Sequence, residues 1–172
     1  LPFFVPLLTK MLTMNRIAIM ASGSGSNAEA LVKYFEQSTI AGVELILTEN
    51  PMAYVLKRAA RLGIPSIIFS MVELANGSVL SNLRKHEIDF IVLAGFLKLI
   101  PNNLIEAYQN RIVNIHPALL PKYGGKGMYG NKVHQTVIEN GERESGISIH
   151  YVNGKYDEGE LIFQARCPVL PN

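Results

Sequence analysis

Asn114 and His116 lie two residues apart at the end of the short apolar run Arg111-Ile112-Val113. Alternate side chains of a strand point to the same side, so an extended backbone here would turn both towards one pocket. Pro117 keeps the residue before it out of the helical conformation. An amide and a protonated imidazole are donors that suit a carbonyl whose oxygen becomes negative. The pair indicates chemistry at a carbonyl carbon, although a capping Asn and a surface His would have the same spacing.

A protonated histidine needs a carboxylate nearby, because an opposite charge favours the charged form of the ring. Asp157 and Glu158, in the loop YDEGE, are the candidates. Spacing alone brings neither of them to His116, and a hairpin turn would explain the loop equally well. The remaining histidines are expected in ordinary helix, strand or surface positions: His86, His134 and His150.

The stretch SGSGSNA follows the first apolar run and opens the first helical pattern. Glycines allow a tight turn and a close approach to an anion, and the start of a helix offers unpaired N–H groups and a positive dipole. Asn27 is the predicted N-cap. An ordinary strand-to-helix turn is the alternative. We predict a phosphate site formed by Gly23, Ser24, Gly25, Ser26 and Asn27.

The same loop leaves a rival ligand open. Gly23, Gly25 and Ala28 satisfy the pattern G-x-G-x-x-A, which is typical of dinucleotide-binding folds. Such folds place an acid near the end of the second strand, and Glu49 lies close to that point. A nicotinamide-dinucleotide-binding oxidoreductase therefore remains an alternative, as does a phospholigand-binding module without catalytic activity.

The composition predicts one globular domain with a substantial core. The chain has 172 residues, of which 48% are hydrophobic and 17% charged. A net charge of +2 is too small to indicate a nucleic-acid or membrane-surface partner. A single cysteine, Cys167, cannot form an internal disulfide, which fits a reducing, cytoplasmic location. The cysteine and histidine spacing matches no zinc site, so we expect no metal.

Residues 1–14 are predicted to form an N-terminal extension, and residues 15–172 a single domain. The extension is apolar, but it is interrupted by Pro2, Pro6 and Lys10 and is shorter than the ~20 residues of a membrane-spanning helix. It also lacks the basic start and cleavage site of a signal peptide. A membrane or partner anchor is the alternative interpretation.

Short apolar runs alternate with helical patterns along most of the chain. The predicted strands are 16–22, 42–48, 64–69, 88–95, 111–115, 146–152 and 160–169. The predicted helices are 27–38, 51–63, 78–87, 102–109 and 131–141. This alternation predicts an α/β fold, a mostly parallel sheet with helices on both faces. The last two strands have no helix between them, so we expect an antiparallel pair at the C-terminal edge. Ligands of such sheets bind beyond the carboxyl ends of the strands, which points to the loops 22–27, 96–101 and 114–130.

Four stretches of the sequence resemble the phosphoribosylglycinamide formyltransferase family of the folate-dependent formyltransferase superfamily. They are MASGSGSN, IVLAGFLKLIP, RIVNIHPALLPKYGG and GISIHYVNGKYDEGELIFQ. The stretch N-I-H-P-x-L-L-P with the later D-x-G is specific for the superfamily, and SGSGSN favours this family. The resemblance implies a Rossmann-like sheet. It also implies a metal-free transfer of a formyl group from 10-formyltetrahydrofolate to the amine of glycinamide ribonucleotide, in de novo purine biosynthesis.

The resemblance also implies roles for individual residues. Asn114, His116 and Asp157 would be the catalytic trio, and the glycine loop would hold the ribonucleotide phosphate. The folate contacts would be Leu97, Lys98, Leu99, Ile100, Asn114 and Asp157. The products would be formylglycinamide ribonucleotide and tetrahydrofolate. Small molecules are the expected partners, without nucleic acid or membrane, for a monomer or homodimer. A related formyltransferase or a formyltetrahydrofolate hydrolase with the same trio is the nearest alternative.

Two departures from the family pattern stand out. The segment between the strands 64–69 and 88–95 is shorter than in the family, and we find no match there for a basic residue that contacts the folate. The sequence also ends after CPVLPN, where family members usually continue with a C-terminal helix. We expect that helix to be absent from the domain.

Overall fold

The computed structural model describes residues 14–170. Apart from Met14, the predicted N-terminal extension lies outside the described residues. The strands are β1 Asn15–Met20, β2 Ala41–Thr48, β3 Ser66–Ile68, β4 Phe90–Leu93, β5 Ile112–His116, β6 Glu144–Tyr151 and β7 Leu161–Pro168. The helices are α1 Ser26–Phe35, α2 Val55–Leu62, α3 Met71–Asn76, α4 Ser78–Lys85, α5 Asn102–Ala107 and α6 Asn131–Glu139. In the described part of the chain, no helix has the length and apolarity needed to cross a membrane.

The strands form a single sheet in the order β3-β2-β1-β4-β5-β6-β7. The pairs from β3 to β5 are all parallel. β6 runs antiparallel to both β5 and β7. β7 follows β6 without a helix, as the prediction required, whereas β6 is antiparallel to β5 although α6 lies between them. The predicted α/β fold, a Rossmann-like sheet with an antiparallel C-terminal edge, is therefore confirmed. The carboxyl ends of β1, β4 and β5 open onto one end of the sheet, where the site lies.

The central strands are buried on both faces, as continuous apolar runs require in a covered parallel sheet. In β2, Leu45 packs into one core with the side chains of α3, α4 and α5. Its neighbour Ile46 points to the opposite face and packs into a second core with α1 and α2. The strands whose ends carry the site are therefore packed on both faces.

The segment 70–87 differs from the prediction of one helix. It holds two short helices, α3 and α4, separated by Gly77. Ser70 and Glu73 form a capping box, in which the Ser70 hydroxyl accepts from the Glu73 N–H and the Glu73 carboxylate accepts from the Ser70 N–H. The sequence S-x-x-E announces this start, and the prediction missed it.

Two predicted helix starts are wrong. α1 begins at Ser26 and its N-cap is Gly25, with a left-handed φ of 72° and no side-chain cap, so Asn27 is not the cap. α2 begins at Val55, because Pro51 belongs to a turn in which the Asn50 side chain accepts from a backbone N–H. In both places the preceding loop, and not the periodicity of the helix, decides which residue is the first of the helix.

Because β2 is buried on both faces, we predict that neighbouring side chains of this strand contribute similar amounts to the free energy of unfolding. Leu45→Ala and Ile46→Ala should each lower the free energy of unfolding by about 2–5 kcal/mol, since both side chains are fully buried. Chemical denaturation measures the loss. Phe163→Ala on edge strand β7 is the control: its side chain is 54% exposed, and its loss should be smaller. A neutral Ile46→Ala would contradict the two-sided core.

Candidate active site

A cavity of about 790 Å³ opens at the carboxyl ends of the central strands. Residues 23–27, 97–100, 114, 116 and 157 all line it, so the structure brings every residue of the predicted site to one place. These residues come from the loops after β1 and β4, from the end of β5 and from the loop between β6 and β7.

Asn114 and His116 lie at the end of β5 and both reach Asp157, so the predicted same-side arrangement is confirmed. The Asn114 amide donates to Asp157 Oδ1 at 3.0 Å. His116 Nδ1 lies 3.5 Å from Asp157 Oδ2. The His116 side chain is almost fully buried. The trio that was assembled from distant parts of the sequence is a contact cluster in three dimensions.

Asp157, not Glu158, is the carboxylate of this cluster. Its Oδ2 accepts from the Gly125 N–H at 2.9 Å, and its side chain is only 10% exposed. Glu158 is exposed and pairs with Lys155. Burial alone would raise the pKa of Asp157. The side chain of His150, the Gly125 N–H and the nearby imidazole of His116 together outweigh burial, so the pKa is lowered.

Gly159 explains why the loop of Asp157 carries a glycine. A Cβ at this position would lie 1.6 Å from the carbonyl oxygen of Tyr151, so only glycine lets the loop close onto β6. Asp157 itself has a left-handed φ of 56°, which aspartate tolerates better than most residues. The spacing D-x-G therefore has a steric reason: it holds the carboxylate against the end of β5.

His150 belongs to the same cluster, although its sequence context predicts only an ordinary strand position. It is 2% exposed and lies opposite Asn114 in the pairing of β5 with β6. His150 Nδ1 is 2.8 Å from the carbonyl oxygen of Tyr151, so this nitrogen donates. His150 Nε2, at 3.0 Å from Asn114 Nδ2, then accepts. The strand register that makes this pair is absent from the local sequence pattern.

The other ring nitrogen of His116 faces the loop after β5. His116 Nε2 is 2.7 Å from the carbonyl oxygen of Tyr123, which can only accept, so Nε2 carries a hydrogen. Ser148 on β6 anchors the start of this loop: its hydroxyl donates to Ala118 O at 2.6 Å and accepts from Leu120 N at 3.0 Å. Ser148 thus fixes to the sheet the start of the loop that carries this acceptor.

Two histidines lie outside the cluster. His134, on α6, lines the cavity, but within the described residues it forms no hydrogen bond with the trio. His86 is the C-cap residue of α4, and its Nδ1 bonds to Asn82 O, in agreement with the predicted helix end.

The glycine loop presents backbone donors to the cavity. Within residues 14–170, none of the N–H groups of residues 23–27 donates to another protein group. These N–H groups lie just before and at the start of the first turn of α1, where the helix dipole adds positive potential. Unpaired N–H groups at a helix start form a ready site for a phosphate-sized anion.

Glu49 does not take the place that a dinucleotide would require. Its carboxylate accepts from the Ser22 hydroxyl at 3.0 Å, and the same hydroxyl accepts from Leu97 N. Glu49 is not among the described residues that line the cavity. It ties the loop after β1 to the loop after β4, so its position gives no support to the oxidoreductase alternative.

The loop after β4 forms another wall of the cavity. Leu97 and Leu99 are 39% and 41% exposed on a surface that faces the cavity. In the described chain, the backbone groups of residues 98–100 have no hydrogen-bond partner. Apolar side chains beside unpaired backbone groups suit a flat heterocycle with polar edges. Residues 14–170 contain no group of three or more His, Cys, Asp or Glu arranged to hold a metal ion.

Comparison with known proteins gives consistent matches. The sequence profile of the formyl transferase family matches residues 15–172. The chloroplastic phosphoribosylglycinamide formyltransferase of Arabidopsis thaliana is 40% identical over 164 residues, which cover 91% of this chain and 56% of that protein. The phosphoribosylglycinamide formyltransferase of Bacillus subtilis is 36% identical over 157 residues, which cover 88% and 78%.

Solved structures agree with these matches. The crystal structure of glycinamide ribonucleotide transformylase 1 from Geobacillus kaustophilus superposes with a TM-score of 0.82 at 36% identity. The superposition covers 92% of this chain and 85% of that one. The chain spans little more than half the length of the plant relative.

The lowered pKa of Asp157 predicts a pH-dependent contribution to stability. A carboxyl whose folded pKa lies below its unfolded value stabilises the protein above about pH 3.9, and this contribution disappears as the pH falls through the folded value. The stability difference between the wild type and Asp157→Asn should therefore shrink from about pH 6 to about pH 2.5. Denaturation curves at each pH measure it. Glu158→Gln is the exposed control. Parallel curves for the wild type and Asp157→Asn would contradict this reading.

Proposed function

The chain belongs to the formyl transferase family, and we propose that it transfers a formyl group from 10-formyltetrahydrofolate to the amine of glycinamide ribonucleotide. The products would be formylglycinamide ribonucleotide and tetrahydrofolate, in de novo purine biosynthesis. The observation that carries the proposal is a single cavity lined by two groups of residues. The first is the glycine loop 23–27 with its unpaired N–H groups, and the second is the trio of Asn114, His116 and Asp157.

The cavity can accept both substrates of such a reaction. Its volume of about 790 Å³ is in the upper part of the range for small-molecule sites. We propose that Gly23, Ser24, Gly25, Ser26 and Asn27 bind the ribonucleotide phosphate. Leu97, Lys98, Leu99 and Ile100 would bind the folate ring through apolar contacts and unpaired backbone groups, with Asn114 and Asp157 at its reactive side.

The chemistry requires donors at the formyl oxygen. The substrate amine attacks the formyl carbon, and negative charge develops on the formyl oxygen. Asn114 Nδ2 and His116 are the donors that would stabilise this charge, an effect worth about 3 kcal/mol for each donor in comparable sites. The phosphate loop fixes the ribonucleotide so that its amine meets the formyl carbon, which supplies much of the remaining rate enhancement.

These donors are already engaged with protein acceptors. One Asn114 N–H donates to Asp157 and the other to His150, while His116 Nε2 donates to Tyr123 O. At His150 and Tyr123, a neutral formyl oxygen would only replace one neutral acceptor by another, while the bond of Asn114 to the Asp157 carboxylate is kept. An oxygen that has become negative forms a stronger, charge-assisted hydrogen bond. Exchange of these bonds therefore favours the transition state over the ground state.

Asp157 has two roles in this proposal. It accepts from Asn114 and so orients the amide, and its Oδ2 lies 3.5 Å from His116 Nδ1 and so orients the ring. The reaction ends when a proton moves from the attacking nitrogen to the leaving folate nitrogen. His116 or a bound water would carry this proton.

We also propose the class of substrate, the oligomeric state and the location of the protein. Its substrates would be small molecules, and it would act without metal, nucleic acid or membrane, as a monomer or homodimer. A cytoplasmic location fits its single, unpaired cysteine, Cys167.

The alternative of a formyltetrahydrofolate hydrolase would use the same trio with water as the acceptor. The unpaired N–H groups of the glycine loop favour a phosphorylated acceptor instead. The decisive experiment measures tetrahydrofolate release by the purified protein with and without glycinamide ribonucleotide. We expect release to depend on the ribonucleotide. Equal release in its absence would identify a hydrolase, and release with a different amine only would identify a related formyltransferase.

Substitution of the trio tests the mechanism. Asn114→Ala, His116→Ala and Asp157→Asn should each lower kcat/KM by about 10²–10³, because each removes or misorients a donor to the developing negative charge. The double variant of Asn114 and His116 should lose less than the product of the single losses, since the two donors act on one oxygen. His86→Ala, at a helix end remote from the cavity, is the control. Wild-type rates in a folded His116→Ala protein would remove the mechanism.

A further inference from the structure

The glycine loop, residues 23–27, is bound to α2 through its carbonyl groups. Val55 N, at the start of α2, donates to Gly23 O at 3.1 Å. The Arg58 side chain, one turn further along the same helix, donates from Nε to Ser24 O at 2.8 Å. In a trans peptide the N–H points away from the C=O, so these bonds turn the N–H groups of Ser24 and Gly25 away from α2. α2 therefore determines which way the loop's donors point.

Steric contact fixes the same geometry at Gly25. A Cβ at Gly25 would lie 2.4 Å from Val55 Cγ2, so the loop and α2 touch without space for a side chain. Gly25 also has a left-handed φ of 72°. The loop thus rests directly on the first turn of α2, and a change in α2 is transmitted to the loop.

Arg58 is itself held in place by Glu29 on α1. The Glu29 carboxylate bonds to Arg58 Nη1, to Arg61 Nη2 at 2.7 Å and to Lys33 Nζ at 2.9 Å. The hydrogen bonds of Lys33 and Arg58, with the charge of Arg61, lower the pKa of Glu29 to about 2 against the effect of burial. This carboxylate remains ionised at every pH at which the protein would work.

We propose that Arg58 is a positioning residue for phosphate binding: it joins Ser24 O to Glu29 and so orients the N–H groups of residues 23–27 towards the ribonucleotide phosphate. The inference rests on the proposed function and extends it to a residue outside the cavity. Arg58 is not among the described residues that line the cavity, so it acts through the loop. Its guanidinium can satisfy both partners at once because its donors form a rigid fork.

Arg61 provides a matched control. It lies on the same helix, carries the same charge and bonds to the same carboxylate, but its side chain has no hydrogen bond to the loop within the described residues. Any effect of positive charge on an incoming phosphate should be shared by Arg58 and Arg61. An effect of loop orientation should belong to Arg58 alone.

The test compares Arg58→Ala, Arg58→Lys and Arg61→Ala. Arg58→Ala should raise KM for glycinamide ribonucleotide about tenfold or more, which corresponds to about 1.4 kcal/mol. Its kcat and its KM for the formyl donor should stay within about twofold of the wild type, because the trio is untouched. Arg58→Lys should resemble Arg58→Ala, since an ammonium cannot bridge Ser24 O and Glu29 as the fork does. Arg61→Ala should change KM less than twofold.

A direct binding measurement separates this inference from the proposed function. Ribose 5-phosphate is titrated into each variant by calorimetry, without folate, and amide hydrogen exchange follows residues 23–27. We expect weaker binding and faster exchange in Arg58→Ala only, with unchanged thermal unfolding. Equal effects of Arg58→Ala and Arg61→Ala, retained binding in Arg58→Lys, or no binding by the wild type would each overturn the inference. If the wild type transfers no formyl group but this binding difference persists, the proposed function fails and the inference stands.

Discussion

The buried carboxylate of Asp157 is the contact on which the arrangement of the site depends. It accepts from Asn114 at the end of β5 and from Gly125 in the following loop, and it faces His116. Three separate segments therefore meet at one negative group. A buried carboxylate is costly unless such donors surround it, so the fold must bring those segments together in order to bury it. The same donors lower the pKa of Asp157 and keep the group charged where its charge is needed.

The trio and the glycine loop both present polar groups to the cavity, and other protein groups fix the orientation of each. At the trio, the donors of Asn114 and His116 Nε2 are paired with Asp157, His150 and Tyr123, so they do not carry the cost of a buried unpaired donor. At the glycine loop, the carbonyls are bound on the α2 side and the N–H groups are left towards the cavity. In the proposed reaction the trio would exchange its acceptors, whereas the glycine loop offers donors from the start. This difference suits a developing charge at one end and a permanent charge at the other.

Most of the fold could be predicted from local patterns. Continuous apolar runs mark strands buried on both faces, and helical spacing marks the helices between them, which together specify a covered parallel sheet. The errors lie at helix ends and in one helix, α3, that was not predicted. Gly25 rather than Asn27 caps α1, and the capping box of Ser70 and Glu73 starts a helix that was missed. Helix ends depend on a few hydrogen bonds of the adjoining loops, and periodicity carries little information about them.

The sequence by itself determined the parts of the site that depend on neighbours in the chain. Strand alternation predicted that Asn114 and His116 lie on one side, and the glycine loop predicted an anion site, because backbone geometry repeats over a few residues. The choice of Asp157 over Glu158, the recruitment of His150 and the hold of Arg58 on Ser24 were decided only by tertiary structure. Each of these contacts joins residues more than 30 positions apart. Their formation depends on strand register and on helix packing, which arise when the whole sheet assembles.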